Sequence, residues 1–215
     1  MTRAPGDGRP RPRRWGTASA LLDDDEARRR LVAAAIRCIV RRGTGRISMD
    51  DVADEAGVSR ATVYRYYRSR EDLILGVMLS RLDTAMDHVV RSLAEPGNAA
   101  RSIPELVLVS IGLVYGGAVN EALFSPDSRS FVAVEMTTDP IADGVYRHIA
   151  PLLRRWQDDG QLSADLDLRM TTRWLNAVSV MLMTPPWLEM PLADKRAFLD
   201  RYVVRALVTR DMESL

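Results

Sequence analysis

The chain has 215 residues, of which 47% are apolar, and its 30 basic and 29 acidic side chains leave a net charge of +1. That composition excludes an intrinsically disordered chain, and the length suits a small domain joined to a medium one. One cysteine, Cys38, excludes an internal disulfide framework, and no apolar run or apolar leader is present, so the expected location is cytoplasmic with no membrane partner.

Residues 1–22 combine Pro, Gly and Arg without periodicity and are expected to form a flexible basic arm. Arg9, Arg11, Arg13 and Arg14 suit phosphate tracking or a minor groove, and equally a solvated tail. Charge is segregated along the chain: residues 1–73 hold 16 arginines against 11 acids, and the remainder holds 14 basic against 18 acidic residues. A first helix is expected between the acidic Asp23–Glu26 cluster and Arg41-Arg42-Gly43, with charges matched to the helix dipole at both ends. Leu31, Ala35, Cys38 and Ile39 share its inward face, where Cys38 acts as a small hydrophobe; no metal site is expected.

The stretch ISMDDVADEAGVSRATVYRYYRSREDL, residues 47–73, reads as a helix-turn-helix. Ser48 and Asp51 form an S-x-x-D capping box, so a helix starts near Met49, with Val52, Ala53 and Ala56 as a narrow inward stripe. Gly57 suits the left-handed residue that ends it, and Val58 the gap between crossed helices. Ser59 caps a second short helix over residues 60–66, with Val63 and Tyr67 inward and Arg60, Thr62, Tyr64 and Arg65 on the other face. An arginine near the start of such a helix can donate a bidentate pair to guanine in a major groove, which makes Arg60 the candidate base reader. Tyr64, Tyr66, Arg65 and Arg70 suit phosphate contacts, and Ser69 with Asp72 caps a further helix.

This segment resembles the DNA-binding domain of TetR-family transcriptional regulators, through the capped helix, the A-G-V-S turn, the aromatic run and the basic residue opening the next helix. The resemblance covers about a quarter of the chain. It implies a homodimer on double-stranded operator DNA and an all-helical C-terminal domain whose ligand loosens DNA binding. Ser48, Ser59, Arg60, Ala61, Thr62, Tyr64, Arg65, Tyr66 and Arg70 are the DNA-binding set. Ala61 stands where glycine is common, Tyr67 where phenylalanine is and Arg70 where lysine is; none removes a required group, and the Ala61 methyl bears on base preference.

Further along, the pattern is helix after helix, with no strand signal or internal repeat. Leu73, Val77, Leu82, Met86, Val89 and Leu93 mark one long lever ended by Glu95-Pro96-Gly97. A second apolar helix is expected from Pro104 to Tyr115, a third from about Ser130, and a fourth opened by Pro140 and stopped at Asp158-Asp159-Gly160. Residues 174–183, WLNAVSVMLM, are apolar almost all round, and a final helix over residues 193–208 is similarly broad. Together with a symmetry mate they are expected to form a four-helix dimer interface through Trp174, Val178, Leu182, Phe198, Tyr202 and Leu207, as the resemblance also implies.

The fold expected is all-α: a three-helix DNA-binding domain at residues 23–72 followed by a ligand-sensing and dimerisation domain at 73–215. Family analogy places a cavity among the helices before the interface, with Leu82, Met86, Val109, Leu113, Phe124, Met136, Trp156, Trp174 and Met181 as candidate lining. Ten methionines and four tryptophans suit a deformable cavity for a hydrophobic molecule, and Glu135 or Asn176 could anchor a polar group. An enzyme is not expected: no nucleophile-elbow, zinc-protease or phosphate-loop motif occurs, His88 and His148 lie apart, and no cofactor is implied. The function expected is a sequence-specific regulator, a repressor released from a palindromic operator by a small hydrophobic ligand. The alternative is a constitutive DNA-binding dimer without an effector.

Overall fold

The computed structural model describes residues 24–114 and 116–209, so the expected N-terminal arm lies outside the described residues. Among these the chain is helical, and the one extended pairing is an antiparallel bridge between Leu162 and Val208. Among the described residues no helix is long and apolar enough to cross a membrane.

Helix α1 (Asp24–Arg42) starts on Asp24, Asp25 and Glu26 and ends on Arg41 and Arg42, and it buries Leu31, Ala35, Cys38 and Ile39. Helices α2 (Met49–Ala56) and α3 (Arg60–Tyr66) cross against it, and their Val52 and Val63 are fully buried. Ion pairs hold α2 to α1 from outside: Arg37 and Arg41 both grip Glu55, and Arg42 grips Asp51. Helix α4 (Arg70–Arg91) begins at the Ser69 cap and completes this core with Leu73, Ile74 and Val77. The Ser69-capped helix and the lever are therefore one rod, and the boundary expected between residues 72 and 73 falls inside it. A single rod carries any tilt of its far end straight to α2 and α3.

The second core is built from α4, α5 (Ala99–Val114), α8 (Asp139–Asp158) and α9 (Leu168–Leu182). Helix α5 begins five residues before the expected Pro104 because Asn98 caps it, accepting the Arg101 amide at 3.1 Å. Pro104 costs it one backbone bond without breaking it. The expected end of this helix, Tyr115, lies outside the described residues. A short helix α6 (Ala118–Leu123), unmarked by any periodicity, precedes α7 (Arg129–Met136). Helix α9 starts six residues before Trp174 because Asp167 caps it, accepting the Arg169 and Met170 amides at 2.8 and 3.0 Å. The last rod runs from α10 (Leu192–Phe198) through a π-helical turn (Leu199–Val204) into α11 (Arg205–Leu207).

Helices α4 and α8 cross closely at Gly144, where a Cβ would lie 2.2 Å from Leu82 Cδ2. Beside this crossing, His148 of α8 meets Asp83 and Asp87 of α4 at 2.9 and 3.4 Å.

The broad apolar faces of α9 and the last rod divide between two uses. Val178, Leu182 and Leu207, expected at a dimer interface, are instead buried in the protomer's own core, since each points inward from its helix. Trp174 and Tyr202 are exposed, and Phe198 is half-buried with its ring 5.2 Å from that of Tyr202. Met170, at 62% exposure, continues the outer stripe of α9 one turn before Trp174.

Trp156 fastens the end of α8. It is fully buried, and its indole N–H donates to the Pro96 carbonyl at 2.8 Å in the turn between α4 and α5. Trp156→Phe removes that bond and leaves a gap, so it is expected to lower unfolding stability by about 1–3 kcal/mol in urea denaturation. An unchanged midpoint contradicts this role.

Candidate nucleic-acid interface and internal cavity

The local sequence dictates the turn between α2 and α3. Ser48 accepts the Asp51 amide at 3.1 Å while Asp51 accepts the Ser48 amide at 2.8 Å, completing the capping box. At the other end Gly57 adopts φ 68°, ψ 35°, and the Val58 amide returns to the Ala53 carbonyl at 2.9 Å. Ser59 then accepts the Thr62 amide at 3.1 Å and fixes where α3 begins.

Arg60, Ala61, Tyr64 and Arg65 lie exposed on α3, with Thr62 half-buried among them. Arg60 donates to Asp50 at 2.9 Å and lies 5.3 Å from the Tyr64 ring centroid, so Tyr64 and Asp50 together raise its pKa further. Tyr66 is half-buried between Arg65, 5.6 Å from its ring, and Arg28, 5.9 Å away. Ser48 and Ser59 are exposed at the rims of the same surface. Arg70 stands apart: it bonds Glu71 and lies 5.0 Å over the Phe131 ring of α7, because the first turn of α4 faces the C-terminal half. Sequence reasoning missed Arg46, exposed in the loop before α2, and Arg68, exposed beside the α3 end. The signal for both was a basic residue flanking a cap.

The C-terminal half also touches this domain at the loop between α1 and α2. The Gly45 amide, in the loop between α1 and α2, donates to the Ala122 carbonyl at 3.0 Å and to Ser128 Oγ at 3.3 Å, and Thr44 donates to Asp127 at 3.0 Å. Ala122, Leu123, Phe124 and Val132 are buried in the same core as Leu31, Val52 and Ile74.

Behind this contact lies a cavity of about 630 Å³ between α4, α5, α8 and α9, within the size range of small-molecule sites. Leu82, Met86, Leu113, Phe124 and Met136 line it, as do Ile36 of α1 and Leu123 of α6. Val109, Trp156, Trp174 and Met181 do not: Trp156 is committed to the core near Pro96, Trp174 faces solvent, and Val109 and Met181 pack at the core's margin. Asn176 reaches the cavity but spends its amide on the Met136 carbonyl at 2.7 Å. Glu135 is absent from the wall, and burial, with Glu71 nearby, pushes its carboxyl up.

Residues 31–77 match the family model described as bacterial regulatory proteins, tetR family. Over those residues the chain is similar to the TetR family. The relative EthR, an HTH-type transcriptional regulator of Mycolicibacterium smegmatis, is 36% identical over 138 residues, which cover 61% of this chain and 62% of EthR. The match thus spans less than two thirds of that relative. The structure of the TetR repressor QsdR from R. erythropolis superposes with a TM-score of 0.66 at 21% identity, covering 85% of this chain and 94% of QsdR. RolR, crystallised with resorcinol, superposes with a TM-score of 0.60 at 17% identity, covering 88% of this chain and 91% of RolR. These two likenesses establish the fold. The named relatives are transcriptional regulators and not enzymes.

The α1–α2 clamp makes this domain acid-sensitive. Arg37 and then Arg41 hold the Glu55 carboxyl below the usual carboxylate range. A group depressed in the folded state stabilises above its unfolded pKa, and that contribution fades as pH falls through the folded value. Wild type is therefore expected to lose stability between about pH 5 and pH 3, and Glu55→Gln to lose less over the same window. Urea midpoints at both pH values decide it; equal acid losses contradict the clamp.

Proposed function

We propose that this chain is a dimeric, sequence-specific DNA-binding transcriptional repressor that a small, largely hydrophobic ligand releases from a near-palindromic operator. The observation carrying the reading is the exposed α3 face, where a Ser59-capped helix presents Arg60 at its first turn with Ala61, Thr62, Tyr64 and Arg65 beside it. In a major groove the Arg60 fork reads a guanine, and Tyr64, Arg65 and Tyr66, with Ser48 and Ser59 at the rims, meet phosphates. Arg70, turned toward Phe131, acts between the two halves of the protomer.

A second copy docks on the outer stripe of α9 and the last rod, through Met170, Trp174, Phe198 and Tyr202, and sets the two α3 helices one or more helical turns apart, about 34–36 Å per turn. Bound at a promoter, the dimer blocks polymerase. The cavity favours an effector over constitutive binding, since RolR, with the same fold, was crystallised with resorcinol. Its wall includes Ile36 of α1 together with Leu123 and Phe124, which also belong to the DNA-binding domain's core. An occupant that displaces Phe124 or Leu123 moves α6, and the Gly45 bond to Ala122 passes the shift to the loop before α2. The ligand changes DNA affinity only by its preference for the shifted state.

Fluorescence anisotropy on operator-containing and scrambled DNA tests the reading at physiological salt. Arg60→Ala is expected to cost about 1–3 kcal/mol on the operator and much less on scrambled DNA. Asp50→Ala frees Arg60 from its exposed partner and is expected to tighten operator binding by up to about fivefold. Equal losses on both DNAs for Arg60→Ala rule out base reading by that residue.

A further inference from the structure

The cavity wall carries charge as well as apolar surface. Most of its polar side chains are already committed to backbone carbonyls: Ser110 to Leu106 at 2.6 Å, Asn120 to Leu113 at 2.7 Å, Thr172 to Leu168 at 2.8 Å and Ser179 to Leu175 at 2.9 Å. Arg81, Thr84 and His88 differ, for their side chains make no hydrogen bond or ion pair with any described residue. They lie three and seven residues apart on α4, so they form one stripe along a single helix face. Thr84 and His88 are exposed and Arg81 is half-buried, which places the stripe where the cavity opens to solvent. Asp83 and Asp87, the acids nearest in sequence, point to the opposite face and are occupied by His148.

Resting on the reading of this cavity as an effector site, we propose that its ligand is an amphiphile with one oxyanionic group, a carboxylate or a phosphate, received by Arg81 with Thr84 and His88 beside it. A half-buried guanidinium without a counter-ion forfeits hydration and gains nothing in return. An oxyanion supplies the missing partner in a bidentate, charge-assisted pair, and the apolar surroundings strengthen the attraction. The rest of the wall, including Met86, Leu106, Ile149, Leu175 and Met183, accepts the apolar tail. Arg81 sits on the rod that begins at Ser69 beside α3, so an anion held there bears directly on the helix that carries the reading head.

Isothermal titration calorimetry with octanoate, octyl phosphate and octanol tests the proposal on the full-length protein. At least one anionic probe is expected to bind about tenfold or more tightly than octanol, and the stronger of the two names the head group. Arg81→Gln is expected to erase that preference while leaving octanol affinity unchanged, which also shows that the variant is folded. Equal binding of acid and alcohol by wild type, or a preference that survives Arg81→Gln, overturns the anion site and leaves the effector cavity standing. Silence with all three probes overturns the effector cavity itself, and the anion site with it.

Discussion

The short α6 segment is packed into the N-terminal core and at the same time walls the cavity, and the rest of the molecule depends on that placement. Leu123 and Phe124 are buried among the side chains of α1, α2 and α4, yet both also face the cavity. The Gly45 amide fastens the same segment to the loop that precedes α2 and α3, and a Cβ at Gly45 would sit only 3.3 Å from Leu123 Cδ2 and from Ser128 Cβ. Packed interiors transmit displacement because they hold few voids to absorb it. A change of volume behind Phe124 is therefore felt at α1 and α2 without any long-range pathway.

The reading surface shows a related economy. Arg60 is already held by Asp50 and Tyr64, so in the proposed DNA complex it would exchange one acceptor for another and not freeze a loose chain. Under the proposed reading that exchange would limit affinity and favour discrimination, since a wrong base would not replace the carboxylate that Arg60 gives up. At the opposite end of the protomer, α9 and the last rod bury Val178, Leu182 and Leu207 inward while leaving Met170, Trp174 and Tyr202 outside. One pair of helices can thus close a core and offer a stripe to a second copy.

Legibility in the sequence followed the physics of each element. The helix-turn-helix was readable residue by residue because caps and a left-handed glycine are local signals, and Ser48, Gly57, Ser59 and Ser69 all act as such. Helix α6 was not readable, since six residues hold less than two turns and show no period. Starts at Asn98 and Asp167 were overlooked because a nearby proline and an apolar run opening at Trp174 drew the boundary inward. The cavity was half legible: Leu82 and Met86 follow from the periodicity of α4, but nothing local separates Trp156 in a core from Trp156 on a wall. That Arg81 has no partner among the described residues is a three-dimensional fact, invisible until its neighbours' own commitments are known.

Hydrogen exchange, with the cavity empty and then saturated with octanoate, tests the coupling most directly. The position of Leu123 and Phe124, in the N-terminal core and on the cavity wall, predicts altered exchange at the amides of residues 44–47 and in α2. Altered exchange confined to α4, α5, α8 and α9, with the Gly45 amide unmoved, contradicts the account.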